Sequence, residues 1–106
     1  MIFEIKRGDT KRALKAMLKT SAGYAKDLTN CTVNFILSAE NGEVLISRPP
    51  LIVDETGGEV WVVFTADELK TIGEFNGEFK VTDTDGTETF PSKEFIKINI
   101  LPDLGR

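Results

Sequence analysis

GEFNGEFKV, the stretch at residues 73–81, decides the fold of this chain. Every second position from Phe75 onward is apolar or glycine, which is the spacing of side chains that share one face of a β-strand. Asn76-Gly77 ordinarily indicates a hairpin turn, but a turn there would leave a partner strand too short to pair. The alternation therefore predicts an unbroken strand over 73–82, in which Gly77 admits a bulky neighbour.

Turn signals divide the chain around this strand. Asp85-Gly86 predicts a hairpin turn into a return strand at 87–90, and Asn41-Gly42 predicts another hairpin earlier in the chain. Proline cannot donate to a ladder, so Pro49-Pro50 marks either an edge strand or a break between two strands. The segment at 65–69 has the form of a single capped helical turn.

The run at 11–20 is ambiguous, because its residue types favour a helix while Leu14, Ala16 and Leu18 alternate as in a strand. We predict a strand, since the surrounding chain is β-patterned. Further alternating segments lie at 2–6, 31–37, 44–47, 51–53, 59–65 and 95–101. The pattern predicts an all-β sandwich of seven to eight short, mostly antiparallel strands, as one domain spanning 1–106.

The composition argues against several classes of function. The chain has 106 residues, a net charge of −4, one cysteine and no histidine. Zinc sites of the usual types and histidine-activated nucleophiles are therefore excluded, and Cys31 is expected to be buried as a small hydrophobe. A net negative charge argues against nucleic acid as a partner. No signal peptide and no apolar run of ~18 residues is present, so we expect folding in the cytoplasm and no contact with a membrane.

Two local features invite a functional interpretation but have simpler ones. Basic residues crowd into the first twenty positions, and a solvated strand face is the simplest explanation: Lys6, Arg7, Lys11, Arg12, Lys15 and Lys19. DTDGTE at 83–88 resembles part of a calcium loop, yet the flanking ligands of that motif are missing, so a hairpin turn is expected. No metal, cofactor or catalytic residue is predicted, and a hydrolase built on an unmarked pair of carboxylates is a distant alternative.

Trp61 is the best single candidate for an interface. In a regular strand Trp61 and Val63 point away from Val60, Val62 and Phe64, so one face enters the core and the other lies in solvent or against a neighbour. Tryptophan is enriched at binding hot spots. A covering loop is the alternative explanation for the second face. Tyr24, in a predicted loop at 21–26, completes the candidate interface residues.

Taken in order, short segments along nearly the whole chain resemble one family. They are GDT (8–10), LKAML (14–18), DLT (27–29), TVNF (32–35), NG (41–42), IVD (52–54), GEV (58–60), GEF (73–75), EF (78–79), DG (85–86) and TFP (89–91). The ordered set resembles the N-terminal immunoglobulin-like domain of phage baseplate upper proteins. That resemblance implies an immunoglobulin-like β-sandwich with a structural role in the virion.

The resemblance predicts a non-enzymatic phage or prophage protein that assembles with other phage structural proteins, first in the host cytoplasm and then in the virion. In baseplate upper proteins this domain precedes a stem and a receptor-binding region, whereas the sequence stops at Arg106. We therefore expect an adaptor, a decoration protein or a virion accessory. Edge strands and virion symmetry make a homo-oligomer plausible. The alternative is a carbohydrate-binding module that stacks host glycans on Trp61 and Tyr24.

Overall fold

The computed structural model describes residues 2–91 and 95–104, which form nine strands and no helix. In chain order the strands are β1 (Ile2–Lys6), β2 (Ala13–Met17), β3 (Thr32–Ala39), β4 (Val44–Arg48), β5 (Leu51–Asp54), β6 (Glu59–Val63), β7 (Gly73–Asp83), β8 (Gly86–Phe90) and β9 (Ile96–Leu101). They make two sheets whose inner faces meet in one core. The predicted all-β, immunoglobulin-like sandwich is confirmed.

The larger sheet is organised by β7, the longest strand. Its order is β1-β9-β7-β3-β4, and β8 also pairs with β7. The first half of β7 pairs with β9 and its second half pairs with β8, while β3 lies along its other side. All of these pairings are antiparallel except that of β1 with β9, which is parallel. The prediction of one unbroken strand through Asn76-Gly77 is therefore confirmed.

The smaller sheet has the order β2-β6-β5, with both pairings antiparallel. Its edge strand β2 lies within the ambiguous run at 11–20. Leu14 and Ala16 of β2 and the following Leu18 are all buried, as the alternation predicted. The strand prediction is confirmed. Apolar side chains that repeat every two residues lie on one face of a strand, and here that face packs into the core between the two sheets.

Pro49-Pro50 separates two strands that belong to different sheets. β4 is an edge of the larger sheet, and β5 is an edge of the smaller one. Both the predicted edge position and the predicted break occur, so this segment contributes two strands to the nine in the described residues. Proline is tolerated at such a corner because neither residue there has a backbone N–H to leave unpaired.

The core is closely packed around Gly77. The Phe35 ring centroid lies 5.1 Å from that of Phe79, its partner on the neighbouring strand of the same sheet, and 6.2 Å from that of Phe64, which follows β6 of the smaller sheet. A Cβ atom at Gly77 would lie 2.8 Å from Ile98 Cδ1 and 3.3 Å from Phe35 Cε1. The glycine predicted to admit a bulky neighbour thus admits two.

The predicted hairpin turns are formed by local side-chain acceptors. The Asp83 carboxylate accepts hydrogen bonds from the backbone N–H groups of Asp85 and Gly86, at 2.8 and 3.2 Å. The segment that resembles a calcium loop therefore forms a hairpin turn. At the other hairpin Gly42 has a φ of 91°, which favours glycine. The turn at 65–69 is capped as predicted, because the Thr65 hydroxyl accepts from the backbone N–H of Glu68 at 3.2 Å.

Cys31 corrects one expectation. Its side chain is only half-buried and packs at the margin of the core. The preceding Asn30 has a φ of 60°, and this left-handed residue turns the chain just before β3 begins. The Cys31 thiol consequently lies near the Asp27 and Thr29 carbonyls, at 3.8 and 3.6 Å, instead of inside the sandwich.

Candidate protein-interaction surface

The outer face of the smaller sheet exposes a cluster of large apolar side chains. Val60 and Val62 of β6 are fully buried, so the alternation directs Trp61 and Val63 outward, as the sequence predicted. Leu51 of β5 lies directly opposite Trp61 in the ladder. Val63 is 48% exposed, Leu51 59% and Met17 of β2 53%. We call the surface formed by Met17, Leu51, Trp61 and Val63 the Trp61 face.

Trp61 is held in one orientation by its neighbours on this face. The Lys15 ammonium lies 4.3 Å from the centroid of the Trp61 ring, from the directly opposite position on β2. The indole Nε1 donates to Glu59 Oε2 at 2.7 Å. A half-buried tryptophan fixed in this way loses little side-chain entropy when a partner covers it.

A basic depression adjoins the Trp61 face. It is open to solvent, has a volume of about 740 Å³ and is lined by Phe3, Asp9, Lys11, Arg12, Ala13, Lys15, Trp61 and Val63. The Arg12 guanidinium carbon lies 5.0 Å from the centroid of the Phe3 ring. We call this depression the basic groove. Of the three cations that line it, Lys15 lies on β2, whereas Lys11 and Arg12 lie in the loop before that strand. The predicted solvated strand face therefore explains only part of the clustering of basic residues.

Tyr24 lies apart from the other two candidate residues. It is 74% exposed in the connection between β2 and β3, where its backbone N–H donates to the Thr20 hydroxyl at 3.3 Å. Trp61 and Val63 line the basic groove together, and Tyr24 is not among its lining residues. The structure therefore unites two of the three candidates.

The sequence reasoning missed Leu51, Met17 and Lys15 as neighbours of Trp61. Met17 and Lys15 carry a usable signal, because they alternate with the buried Leu14 and Ala16. Leu51 carries none. Its position opposite Trp61 depends on the register between β5 and β6, which residue types alone do not specify.

The outer face of the larger sheet is different in character. Its polar side chains pair with one another: Lys80 Nζ lies 3.6 Å from Glu78 Oε1 and 3.3 Å from Thr89 Oγ1. Lys97 Nζ donates to Asn76 Oδ1 at 3.0 Å. Such a face is satisfied by its own contacts and by solvent, so the smaller sheet is the better candidate for docking.

Arg48 and Glu68 form the best-defined ion pair. Arg48 Nε and one terminal nitrogen donate to the two Glu68 oxygens at 2.7 and 2.9 Å, and the same terminal nitrogen donates to the Val63 carbonyl at 2.8 Å. The hydrogen bonds from Arg48 hold the pKa of Glu68 below its usual value, and Glu68 in turn raises the pKa of Arg48. This pair ties β4 to the end of β6 and the turn that follows, which is a structural role.

Neither a metal centre nor a membrane span is found in the part of the chain that the structure describes. Among residues 2–91 and 95–104, no three His, Cys, Asp or Glu side chains gather closely enough to hold a metal ion. The same residues contain no helix that could cross a bilayer.

Solved structures with a similar fold include two that cover nearly the whole chain. The N-terminal domain of phage TP901-1 ORF48 matches with a TM-score of 0.67 and 16% identity, over 97% of this chain and 85% of that one. CopC from Methylosinus trichosporium OB3b matches with a TM-score of 0.56 and 10% identity, over 98% of this chain and 87% of that one. At these identities the likeness is one of fold. Comparison with curated protein sequences finds no match.

The family comparison is more specific. The model of the BppU N-terminal domain matches residues 2–104, which takes in every segment of the ordered set that carried the resemblance. The recognition from sequence is thereby confirmed. The chain belongs to the BppU N-terminal domain family, the N-terminal domain of phage baseplate upper proteins, and is a structural module of the phage baseplate.

Proposed function

We propose that this chain is a non-enzymatic adaptor that joins components of the phage baseplate through protein–protein contacts, and that it docks through the Trp61 face. The observation that carries the proposal is the exposed apolar cluster around an oriented tryptophan. On the outer face of the larger sheet, by contrast, the Lys80 and Lys97 side chains bond to Thr89 and Asn76.

The physical argument rests on what a partner would gain. Leu51, Val63 and Met17 are each about half exposed, and covering such side chains contributes about 25 cal/mol for each Å² of apolar surface removed from water. Trp61 has the residue type and the fixed orientation of a hot spot, and a partner that covers its aliphatic neighbours would exclude water around it.

Phage carrying matched valine variants test this proposal. Val63→Asp places a charge on the Trp61 face, whereas Val44→Asp places the same charge on a comparably exposed valine of β4. Quantitative mass spectrometry of purified particles should show loss of this protein with Val63→Asp and normal incorporation with Val44→Asp. Thermal unfolding of the purified variants checks that both remain folded.

Two outcomes contradict separate parts of the proposal. If the wild-type protein is absent from mature particles and from assembly intermediates, it is not a baseplate adaptor. If both valine variants are incorporated normally, docking does not use the Trp61 face. Self-association is a further part of the prediction, because virion components are symmetric. Small-angle scattering that shows only monomers at high concentration would count against self-association.

The carbohydrate-binding alternative stays a prediction. It requires an accessible aromatic platform, and one face of the Trp61 ring carries the Lys15 ammonium while Tyr24 lies elsewhere. A glycan array decides between the two functions, since the adaptor binds no glycan and the alternative must bind one through Trp61.

A further inference from the structure

We infer that the docking partner presents an acidic protein segment, and that this segment lies in the basic groove. The inference rests on the proposed function, because the groove shares Trp61 and Val63 with the docking face. It adds the chemistry by which the partner is recognised.

Charge segregation is the first argument. Lys11, Arg12 and Lys15 line the groove against the single carboxylate of Asp9, although the chain as a whole has a net charge of −4. Asp9 Oδ1 is also the acceptor for the backbone N–H of Lys11, at 3.3 Å. A positive cleft on a negatively charged protein focuses its field on anionic groups that approach it.

The three cations of the groove, Lys11, Arg12 and Lys15, form no salt bridge with a described carboxylate. Elsewhere Arg7 pairs with Asp103 at 3.0 Å and Lys26 with Glu88 at 3.4 Å. The groove therefore keeps its charge available for a partner.

Orientation is the second argument. Lys15 rests over the Trp61 ring and Arg12 over the Phe3 ring, at 4.3 and 5.0 Å. Contact with a ring leaves N–H donors free at the edges of each cation, and it restricts the side chain before binding. A carboxylate would meet two pre-oriented donors, one of which offers the fork geometry suited to a bidentate pair.

The lining of the groove distinguishes a protein segment from other polyanions. Trp61 and Val63 form an apolar wall beside the cations, which suits a segment that alternates acidic and apolar side chains. A long polyanion such as nucleic acid would extend past the groove over a surface whose remaining charge is negative. A short acidic segment satisfies the cations without that repulsion.

Fluorescence anisotropy with defined probes tests the inference on the full chain. The probes are a labelled ten-residue peptide of alternating Glu and Val and its Gln–Val counterpart, with heparin as the anionic polysaccharide. The protein is tested as wild type, Lys11→Glu, Lys15→Glu and the matched control Lys97→Glu on the outer face of the larger sheet. Thermal unfolding confirms that each variant is folded.

We expect the wild type to bind the Glu–Val peptide with an affinity that falls as salt rises. Lys11→Glu and Lys15→Glu should each weaken binding by about tenfold, while Lys97→Glu leaves it unchanged. The inference is overturned if neither peptide binds, if both groove variants bind like the wild type, or if heparin binds more tightly than the peptide.

Particle incorporation separates this inference from the proposed function. If Val63→Asp abolishes incorporation and Lys11→Glu, which leaves the Lys15–Trp61 contact in place, does not, docking by the Trp61 face stands and the acidic partner is refuted. If neither variant reduces incorporation, the docking face itself is refuted. Loss of incorporation with both variants supports both.

Discussion

Gly77→Ala is the sharpest test of how this sandwich is packed. The added Cβ would lie 2.8 Å from Ile98 Cδ1 and 3.3 Å from Phe35 Cε1, both closer than ordinary van der Waals contact. Overpacking of this kind costs about 1–3 kcal/mol. Alanine also lowers the conformational entropy of the unfolded chain, which favours the folded state by about 0.4–1 kcal/mol. We therefore expect Gly77→Ala to destabilise the protein by about 1–2 kcal/mol.

A double-mutant cycle with Ile98→Val isolates the cause. Ile98→Val removes the Cδ1 methyl that the new Cβ would meet, so Gly77→Ala should cost far less in that background than in the wild type. Urea unfolding of the four proteins measures the coupling, which we expect to be about 1 kcal/mol. Gly42→Ala is the control: with φ of 91° and no atom within 4 Å of its Cβ, it is strained in its backbone and should not couple to Ile98.

The reasoning is refuted if Gly77→Ala costs the same in both backgrounds to within about 0.5 kcal/mol, which is the additivity expected of independent sites. In that case the glycine would serve the strand for a reason other than the space it leaves for Ile98.

Two further predictions concern the polar contacts. The lowered pKa of Glu68 means that its ionised form stabilises the fold. This stability is fully present above the pKa that Glu68 has in the unfolded chain, and it is lost as pH falls through the lower pKa of the folded state. Glu68→Gln should therefore flatten the loss of stability between neutral and acidic pH in urea titrations; an unchanged pH dependence would contradict a role for the Arg48 pair. Asp83→Ala removes the acceptor for two backbone N–H groups and should cost about 0.5–1.5 kcal/mol, whereas Asp85→Ala should be nearly neutral. Equal costs for the two substitutions would argue against the turn assignment.

Much of the fold is local enough to be predicted. Strand alternation, the Asn41-Gly42 and Asp85-Gly86 turns and the small residue at Gly77 follow from side-chain spacing and backbone freedom, and each is confirmed. The burial of Cys31 was predicted wrongly. Residue type favours the core for cysteine, but the left-handed Asn30 sets the chain direction before β3, and that local geometry determines how deeply the thiol lies.

The candidate surface was only partly predictable. The outward position of Trp61 and Val63 follows from the alternation of side chains along a β-strand, since one face of β6 had to enter the core. The sequence by itself therefore determined which faces of the strands are apolar, where the chain turns and which tryptophan is a candidate for contact.

Only the tertiary structure decided what lies beside Trp61. Leu51 reaches it because the chain changes sheets at Pro49-Pro50, and Lys15 reaches it through the register of β2 with β6. The same holds for Arg48 and Glu68, which are 20 residues apart. Strand order and register depend on how all the apolar faces close on one core, so contacts between distant segments are a property of the whole packed sandwich and not of any stretch of residues.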